Sequence, residues 1–544
     1  MARYFAVFPE DATINDWPNA DHGAATDVSP AALGRWRAYE DDVSARLRAI
    51  HPAGLDERAR LSRAIVLEEV DASRQGRACR EELWDVRVAW SWQSNAAGAA
   101  EVQPVGNPEL RARALSRLLG VARMVDARIA NLREGLQLGY AASRENVAAA
   151  IGQIDALNAI PPRDSPFARP AARDGDPVFR AEMERLVGEE LVPALRRYRD
   201  FLASEYAPRA RRLPGVLALP DGAACYRAAV RRSVTLEVPA NEIHETGLAE
   251  VARVRAEMAA IAERSFGTRD VTTLLAKLRA DPAWLYASPE EIVATAQAAV
   301  DRAWAAVPRW FARLPSARVR ITPYQEFKRA SAPMDSYASA TAGSGGEGTM
   351  WINAFVPPSR SRAGLESITF HEAVPGHHLQ IALAKETADV PVARWIWNAA
   401  YGEGWALYAE GLAEEMGLYT ADVDRMGRLS FEALRAARLV VDSGIHALGW
   451  SRQQAIEYLL QNTTVGSGLA ASEVDRYAAV PGQAVAYLLG AREIRRLRSE
   501  AERALGPRFD IRAFHDVVLG AGTLPLPALR ERVKAWVAAS SARS

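Results

Sequence analysis

The segment His371–Gln380, with the sequence HEAVPGHHLQ, holds three of the eight histidines in the chain and a glutamate beside the first of them. Clustered imidazoles with a neighbouring carboxylate suit a Zn²⁺ ion and the activation of a water molecule on it. The segment begins as the pattern H-E-x-x-H, in which two histidines one helical turn apart bind the metal. Pro375 stands where the second of these histidines is expected. The residues therefore predict a metal site in which the spacing of the second ligand is altered.

Two residues compete for the place of the second histidine ligand, His377 and His378. In a regular helix His377 would point away from His371, whereas His378 would share its face about 10 Å along the axis. Proline has no N–H for a helical hydrogen bond, so Pro375 is expected to break the helix between the histidines. We therefore favour His377 as the ligand and keep His378 as the alternative. Glu372 is the candidate general base that takes a proton from water.

A third ligand is expected in the segment YGEGWALYAEGLAEEMG, which follows the histidines at Tyr401–Gly417. Glu403 and Glu410 lie seven residues apart on a predicted helix, so they share one face of it. The later glutamates of this segment, Glu414 and Glu415, are expected to lie on a solvent-exposed face of the helix. Glu403 differs from them because its neighbours are glycine and tryptophan in an apolar stretch.

The stretch EGWALYAE resembles the N-E-G-F-A-x-Y-x-E segment of aminopeptidase N-like enzymes, whose glutamate is the third zinc ligand. That resemblance assigns the third ligand to Glu403. The pair HExxPGHH and EGWALYAE also resembles the bacterial family called domain of unknown function 885. This family is regarded as related to helical zinc peptidases of the Taq carboxypeptidase and thimet oligopeptidase type. The resemblance runs from about Asp221 to the C-terminus, and the two-residue insertion at Val374-Pro375 is the departure from the characterised peptidases.

Two later segments fit the same resemblance. In AARLVVDSGIHALGW, the residues Arg438, Asp442 and His446 follow one another at four-residue intervals. They are expected to orient a ligand histidine or hold a substrate carboxylate, and a buried structural salt bridge is the alternative. The segment DRYAAVPGQAVAYLLG resembles the P-T-Y-x-L-G segment of the Taq carboxypeptidase type, in which the tyrosine faces the zinc. The resemblance implies that Tyr487 donates to the oxyanion, and a packed core tyrosine is the alternative.

The elements that must position these residues are predicted to be mostly helices. Apolar residues recur at three- and four-residue spacing over Pro108–Tyr140, Phe179–Tyr206 and Ala240–Phe266, and good helix formers dominate the composition. Asn241 is the predicted N-terminal cap of the third of these helices. Because charged heptads are not sustained, a packed helical domain is favoured over a coiled coil.

Strand signals are few and lie just before the histidines. Residues Ala317–Thr322 alternate with period two, and Thr349–Phe355 is short and rich in strand-forming residues. A small sheet is therefore expected upstream of the metal site. In this prediction the second segment is an edge strand along a cleft, where it can pair with an extended peptide.

Composition limits the possible partners and location. The formal net charge is zero, which argues against nucleic acid and anionic membranes as partners. No apolar run reaches about 18 residues, so no membrane span is predicted. Cys79 and Cys225 are the only cysteines, which argues against a disulfide framework and for a reducing compartment. The first residues show no secretory signal, and the predicted location is cytoplasmic.

These features, with the resemblance, imply a mostly α-helical, two-lobed, gluzincin-type architecture with a deep cleft and a small β-sheet near the metal site. Residues 1–220 are predicted to form an N-terminal helical lobe that walls the cleft, and residues 221–544 a catalytic lobe with one Zn²⁺ per chain. The expected function is zinc-dependent hydrolysis of peptide or amide bonds in short peptides or peptide-like molecules, as in carboxypeptidases or oligopeptidases. The alternative is a metal-dependent enzyme that acts on a specialised small molecule in a biosynthetic or degradative pathway.

Overall fold

The computed structural model describes residues 1–324, 335–340, 346–355, 357, 360–387, 389–463 and 465–542. Helices dominate these residues, and one three-stranded sheet lies among them. The predicted class, mostly α with a small sheet, is confirmed. None of the helices within these ranges is long and apolar enough to cross a membrane.

The N-terminal part of the chain is a succession of helices, several of which begin at a capping side chain. Ser29, Asp56, Ser91, Asn107 and Asp176 each accept a hydrogen bond from a backbone N–H of the first helical turn. In chain order the helices are α1 Ala2–Val7, α2 Pro9–Ile14, α3 Pro30–Ala49, α4 Glu57–Gly76, α5 Trp92–Val102, α6 Pro108–Leu138, α7 Arg144–Ala159, α8 Arg169–Arg173, α9 Pro177–Leu186 and α10 Val192–Phe201.

Two of the predicted helices fall in this part of the chain, and both are present. The helix predicted over Pro108–Tyr140 is α6, which ends where Gly139 adopts a positive φ of 82°. The helix predicted over Phe179–Tyr206 is α9 and α10, which two π-helical turns extend, at Val187–Leu191 and at Leu202–Tyr206.

The most extensive packing between pairs of helices lies in the C-terminal part of the chain. Its helices are α11 Gly222–Val234, α12 Ala240–Phe266, α13 Val271–Ala280, α14 Pro289–Ala306, α15 Leu365–Glu372, α16 His377–Thr387, α17 Ala399–Glu415, α18 Asp422–Ala447, α19 Arg452–Asn462, α20 Ser467–Ala479, α21 Ala486–Leu505, α22 Ile511–Leu519 and α23 Leu526–Ser541. The most extensively packed pairs are α12 with α18 and α17 with α21. The predicted bounds of α12 are confirmed, but its predicted cap is wrong: the N-cap residue is Pro239, and Asn241 lies inside the first turn.

The sheet contains β1 Val319–Pro323, β2 Asp335–Ala338 and β3 Gly348–Ile352 in the order β1-β3-β2. Strand β3 pairs in parallel with β1 and antiparallel with β2. The prediction of an edge strand at Thr349–Phe355 was therefore wrong, because both sides of β3 are already hydrogen-bonded. A sequence pattern reports the propensity for a strand, whereas its place in the sheet depends on which neighbours fold against it.

Two hydrophobic cores bear on the predicted boundary at residue 220. One core is built from residues between Val86 and Tyr206. The larger core combines residues of the C-terminal part with Leu61, Ile65 and Trp84 from the N-terminal part. The predicted lobe at residues 221–544 thus shares its core with earlier helices, and the division at residue 220 stays a prediction.

Cys79 and Cys225 form a disulfide that joins the 3₁₀ turn Arg77–Cys79 to α11. Both cysteines are almost completely buried. The two cysteines, which had argued against a disulfide framework, thus pair with each other, and the argument for a reducing compartment loses its basis. Two cysteines 146 residues apart carry no local signal of pairing, because the contact arises only when α11 packs beside the end of α4.

Candidate metal site

A break between α15 and α16 sets the positions of the candidate ligands. Helix α15 ends at Glu372, and α16 begins at His377 after a turn that contains a cis Val374–Pro375 peptide bond. The Pro375 carbonyl accepts a hydrogen bond of 3.0 Å from the Trp405 indole of α17. A Cβ atom at Gly376 would lie only 1.9 Å from the His371 carbonyl oxygen, so only glycine fits the turn. The helix break predicted at the proline is present.

The structure brings His371, His377 and Glu403 together, and this group could hold a metal ion. Glu403 Oε2 lies 3.6 Å from Nε2 of His371 and 3.4 Å from Nε2 of His377. Ligand atoms about 2.0–2.1 Å from a tetrahedral zinc ion lie about 3.3–3.4 Å from one another, so the spacing fits zinc. Although burial opposes it, the two histidines hold the pKa of Glu403 well below its usual range. The carboxylate is therefore charged and ready to bind a cation.

His378 lies outside this group, and its ring makes hydrogen bonds that connect α16 to β2 and to the segment before β1. The ring is fully buried, with Nδ1 3.1 Å from the Tyr337 hydroxyl of β2 and Nε2 3.1 Å from the Ala317 carbonyl oxygen. Burial lowers the pKa of His378 to about 4, so the ring is neutral. A neutral ring that donates from Nε2 to the carbonyl has Nδ1 free to accept from the tyrosine. Both nitrogens are thus engaged away from the candidate ligands.

Glu410 is a further residue of the candidate site, to which the sequence prediction gave no role. Its carboxylate lies 2.8 Å from Nδ1 of His371, accepts a hydrogen bond of 2.7 Å from the Ser367 hydroxyl, and lies 3.5 Å from a guanidinium nitrogen of Arg435. A carboxylate on Nδ1 keeps the proton there and leaves Nε2 free to bind a metal. The seven-residue spacing from Glu403, which puts both carboxylates on one face of α17, was the available signal.

Glu372 is buried beside the candidate ligands but is not one of them. It is 9 % exposed, and no group in the described ranges donates a hydrogen bond to its carboxylate. Burial raises the pKa of Glu372 to about 8; His377 opposes this shift, and the Glu403 carboxylate adds to it. A cation held by the ligands would lower this pKa again. The arrangement suits a group that accepts and releases a proton near neutral pH.

Tyr487 and Arg438 pack together on the α18–α21 side of the site. Burial raises the pKa of Tyr487, and the Glu403 carboxylate adds to the shift, so the phenol lies within electrostatic reach of the candidate ligands. The Arg438 guanidinium lies 4.5 Å from the centre of the Tyr487 ring. It donates to Glu473 at 2.7 Å and to the Tyr477 hydroxyl at 3.0 Å, while its buried Nη1 has no hydrogen-bond partner in the described part of the chain.

Asp442 and His446 anchor the backbone and do not touch the candidate ligands. Asp442 accepts hydrogen bonds from the Tyr226 hydroxyl at 2.7 Å and from the Gly482 N–H at 3.2 Å. His446 accepts from a backbone N–H of the segment before α11 and donates to the Tyr477 carbonyl. Neither residue forms an ion pair within the described ranges; the salt bridge expected as the alternative role of this group is made by Arg438, whose largely buried guanidinium pairs with Glu473. The contacts of Asp442 and His446 join α18 to α11, to the end of α20 and to the turn before α21.

The fold is similar to that of two solved bacterial proteins. A "putative lipoprotein" from Colwellia psychrerythraea matches with a TM-score of 0.91 and 26% identity, over 98% of this chain and 97% of that chain. A "putative lipoprotein of unknown function" from Shewanella oneidensis matches with a TM-score of 0.76 and 18% identity, over 97% of each chain, and this second likeness shows the fold alone. No curated protein matches the sequence. A family model described as bacterial protein of unknown function (DUF885) matches residues 9–533, and the chain therefore belongs to this family.

Proposed function

We propose that the protein is a zinc-dependent hydrolase that cleaves peptide or amide bonds of short peptides or peptide-like molecules. The observation that carries the proposal is the group His371, His377 and Glu403, with the Glu372 carboxylate beside it, to which no described residue donates a hydrogen bond. Two imidazole nitrogens and one carboxylate oxygen are the ligand set of many catalytic zinc sites, which keep a further position open. A purely structural zinc site has four protein ligands and needs no adjacent base.

The mechanism assigns a separate task to each residue. A zinc ion in this site supplies a water molecule of lowered pKa and a polarising charge for the substrate carbonyl. His371 and His377 would hold it through Nε2 and Glu403 through a carboxylate oxygen, while the Glu410 carboxylate fixes the tautomer of His371.

The protons and charges of the reaction are handled by two other side chains. Glu372 takes the proton of the attacking water and delivers it to the amine nitrogen that leaves. The Tyr487 hydroxyl donates a hydrogen bond to the carbonyl oxygen as that oxygen gains negative charge. Support for the second role is the electrostatic coupling between Tyr487 and Glu403.

Arg438 supports a preference for substrates with a free carboxylate. Its guanidinium is buried and stacked on Tyr487, and its Nη1 has donors that no described residue uses. A charged donor without a partner is costly in a protein interior, and a substrate carboxylate removes that cost. This preference would make the enzyme a carboxypeptidase. Asp442 and His446 act indirectly, since they hold the backbone that carries Tyr477 and α21.

Metal analysis followed by a peptide-library digest tests the proposal. We expect about one zinc per chain, cleavage of short peptides detected by mass spectrometry, and no cleavage of folded proteins, because the histidine ligands are buried. The control is Glu372→Gln, which should keep fold and zinc but lose turnover by about 10²–10⁴-fold or more, as removal of a general base does. Turnover close to wild type in this variant would rule out the assigned base. Zinc retention without cleavage of any peptide would favour the specialised small-molecule enzyme.

The location that best fits the disulfide is outside the cytoplasm. Disulfides persist in oxidising compartments, and the similar solved protein from Colwellia psychrerythraea is described as a "putative lipoprotein". Thiol labelling of the native host's cell fractions under denaturing conditions tests this proposal. We expect the protein in an extracytoplasmic fraction with Cys79 and Cys225 protected from labelling until a reductant is added. Reactive cysteines in a cytoplasmic fraction would contradict it.

A further inference from the structure

Trp397 places a half-exposed indole next to the candidate metal ligands. Its side chain is 50 % exposed, and its ring centre lies 5.8 Å from that of His377. Tyr401 and Trp405, large aromatic side chains that follow it on α17, are almost completely buried. An indole left in water forgoes the free energy of burial, which an apolar ligand group can recover by covering it.

One face of the indole is already covered, so the opposite face is the one available to a ligand. A Cβ atom at Gly402 would lie 2.3 Å from Cη2 of Trp397, which means that the ring lies against the backbone of the first turn of α17. Gly402 directly precedes the candidate ligand Glu403. The ring is therefore a flat surface beside the bond that the site would cleave.

The chain on both sides of Trp397 is anchored. Trp395 packs edge-on against Phe5 and Trp17, with ring centres 6.0 and 5.0 Å away. Asn398 is buried, and its side chain accepts a hydrogen bond of 2.9 Å from the Tyr401 N–H as the N-cap of α17. Because its neighbours are fixed, the backbone that carries the indole needs little reordering when a ligand binds.

We propose that the open face of Trp397 stacks on an aromatic side chain beside the bond cleaved at the His371–His377–Glu403 site. This inference rests on the proposed hydrolytic function and specifies its substrate class. Aromatic groups gain most from such a surface, since offset stacking adds to the burial of area, whereas an alanine side chain covers little of the ring. Trp397 is thus a residue that selects substrates and takes no part in proton transfer.

The first experiment compares kcat/KM for matched short peptides with phenylalanine or alanine on either side of the cleaved bond. The wild type should prefer phenylalanine by about tenfold on one side, a ratio in keeping with the free energy of aromatic contacts. Trp397→Ala should bring this ratio close to one with zinc content unchanged, and Trp397→Phe should retain most of it. The matched control is Tyr39→Ala, which removes an exposed aromatic ring packed on Trp36 of α3. A ratio that is unchanged in Trp397→Ala overturns the inference.

A second experiment measures the binding of small amides to metal-free protein, in which no cleavage takes place. Calorimetric titration with N-acetylphenylalanine amide and N-acetylalanine amide should show tighter binding of the aromatic amide to the wild type, and Trp397→Ala should lose the difference. If this difference is found but the zinc-loaded wild type cleaves no peptide, the hydrolase proposal fails and the role of Trp397 stands. If peptides are cleaved but neither selectivity nor amide binding depends on Trp397, the inference fails alone.

Discussion

At the scale of the residue, two buried carboxylates flank His371 and differ in their hydrogen bonds. Glu410 is held by the Ser367 hydroxyl, the His371 ring and the Arg435 guanidinium. Although burial opposes it, Arg435 and these hydrogen bonds keep the pKa of Glu410 below its usual value. Glu372 has no such donors in the described ranges, and burial raises its pKa. The environment therefore favours the charged form of Glu410 and the protonated form of Glu372, which is the difference that the proposed roles of the two residues require.

Replacement of the supporting carboxylate should weaken metal binding without abolishing it. We expect Glu410→Gln to bind zinc about 10–100-fold more weakly, the usual cost of losing a partner that orients a ligand histidine. Glu403→Gln, which removes a ligand atom, should lose more. Zinc titration against a competing chelator measures both affinities. Equal affinities of Glu410→Gln and wild type would show that the Glu410 carboxylate does not orient His371 for the metal.

The two adjacent histidines should respond differently to replacement by alanine. His377→Ala should lose zinc, because it removes one of the three grouped ligand atoms. His378→Ala should keep zinc but lower stability by about 1–3 kcal/mol, since it removes the partner of the partly buried Tyr337 hydroxyl and of the Ala317 carbonyl. Zinc stoichiometry and denaturant unfolding of each variant separate the two effects. The opposite pattern, with zinc lost only in His378→Ala, would reverse the ligand assignment.

At the scale of the element, the close approach of α17 and α21 positions Glu403 relative to Tyr487. The two helices meet at glycines: a Cβ atom at Gly490 would lie 1.8 Å from the Ala400 carbonyl oxygen, and one at Gly404 would lie 2.6 Å from Gly490 Cα. Both contacts are with backbone, which cannot move aside as a side chain can. The glycines thus let the helix of the carboxylate ligand and the helix of the tyrosine pack at minimal distance.

Alanine at Gly490 and alanine at Gly411 should have opposite effects on stability. Gly490→Ala should cost about 3 kcal/mol or more, because the methyl group forces α21 away from α17, and it should weaken zinc binding through the displaced Glu403. At Gly411, also in α17, the nearest atom to an added Cβ is Arg495 Nη2 at an ordinary 3.5 Å. Gly411→Ala should stabilise the protein by up to about 1 kcal/mol through helix propensity. Chemical denaturation measures both; destabilisation of equal size would refute the packing explanation.

At the scale of the whole molecule, the large core and the disulfide join the two parts of the chain. Residues Leu61, Ile65 and Trp84 pack in the core that also contains α15, α17 and α18. The disulfide Cys79–Cys225 crosses the same boundary and closes a loop of 146 residues. Covalent closure of a loop stabilises a fold mainly by restricting the unfolded chain, and more so for longer loops.

Loss of the disulfide should lower global stability and spare the metal site. The double variant Cys79→Ala, Cys225→Ala should be less stable by about 2–5 kcal/mol, with an unchanged zinc content, because neither cysteine contacts the candidate ligands. Urea unfolding with and without a reductant checks this prediction. The reductant should shift the wild-type midpoint and leave that of the double variant unmoved. A wild-type midpoint that is insensitive to reduction would contradict the stabilising role.

Local chemistry was enough to predict the helices, the break at Pro375 and the histidines His371 and His377, whereas Glu403 was assigned through the resemblance of EGWALYAE to a known zinc-ligand segment. Each of the former depends on interactions within a few residues: apolar spacing along a helix, the missing N–H of proline, or the clustering of imidazoles. The long helices α6 and α12 follow the predicted spans closely for the same reason.

The tertiary structure alone decided the partners of these residues. His371 and Glu410 are 39 residues apart, the cysteines 146, and His446 and the Val216 N–H 230. Whether such groups meet depends on the packing of whole helices, which a single sequence pattern does not encode. The same holds for β3, whose central place follows from β1 and β2 folding on either side of it. Local sequence therefore determines which side chains are available for chemistry, and long-range packing determines what each of them contacts.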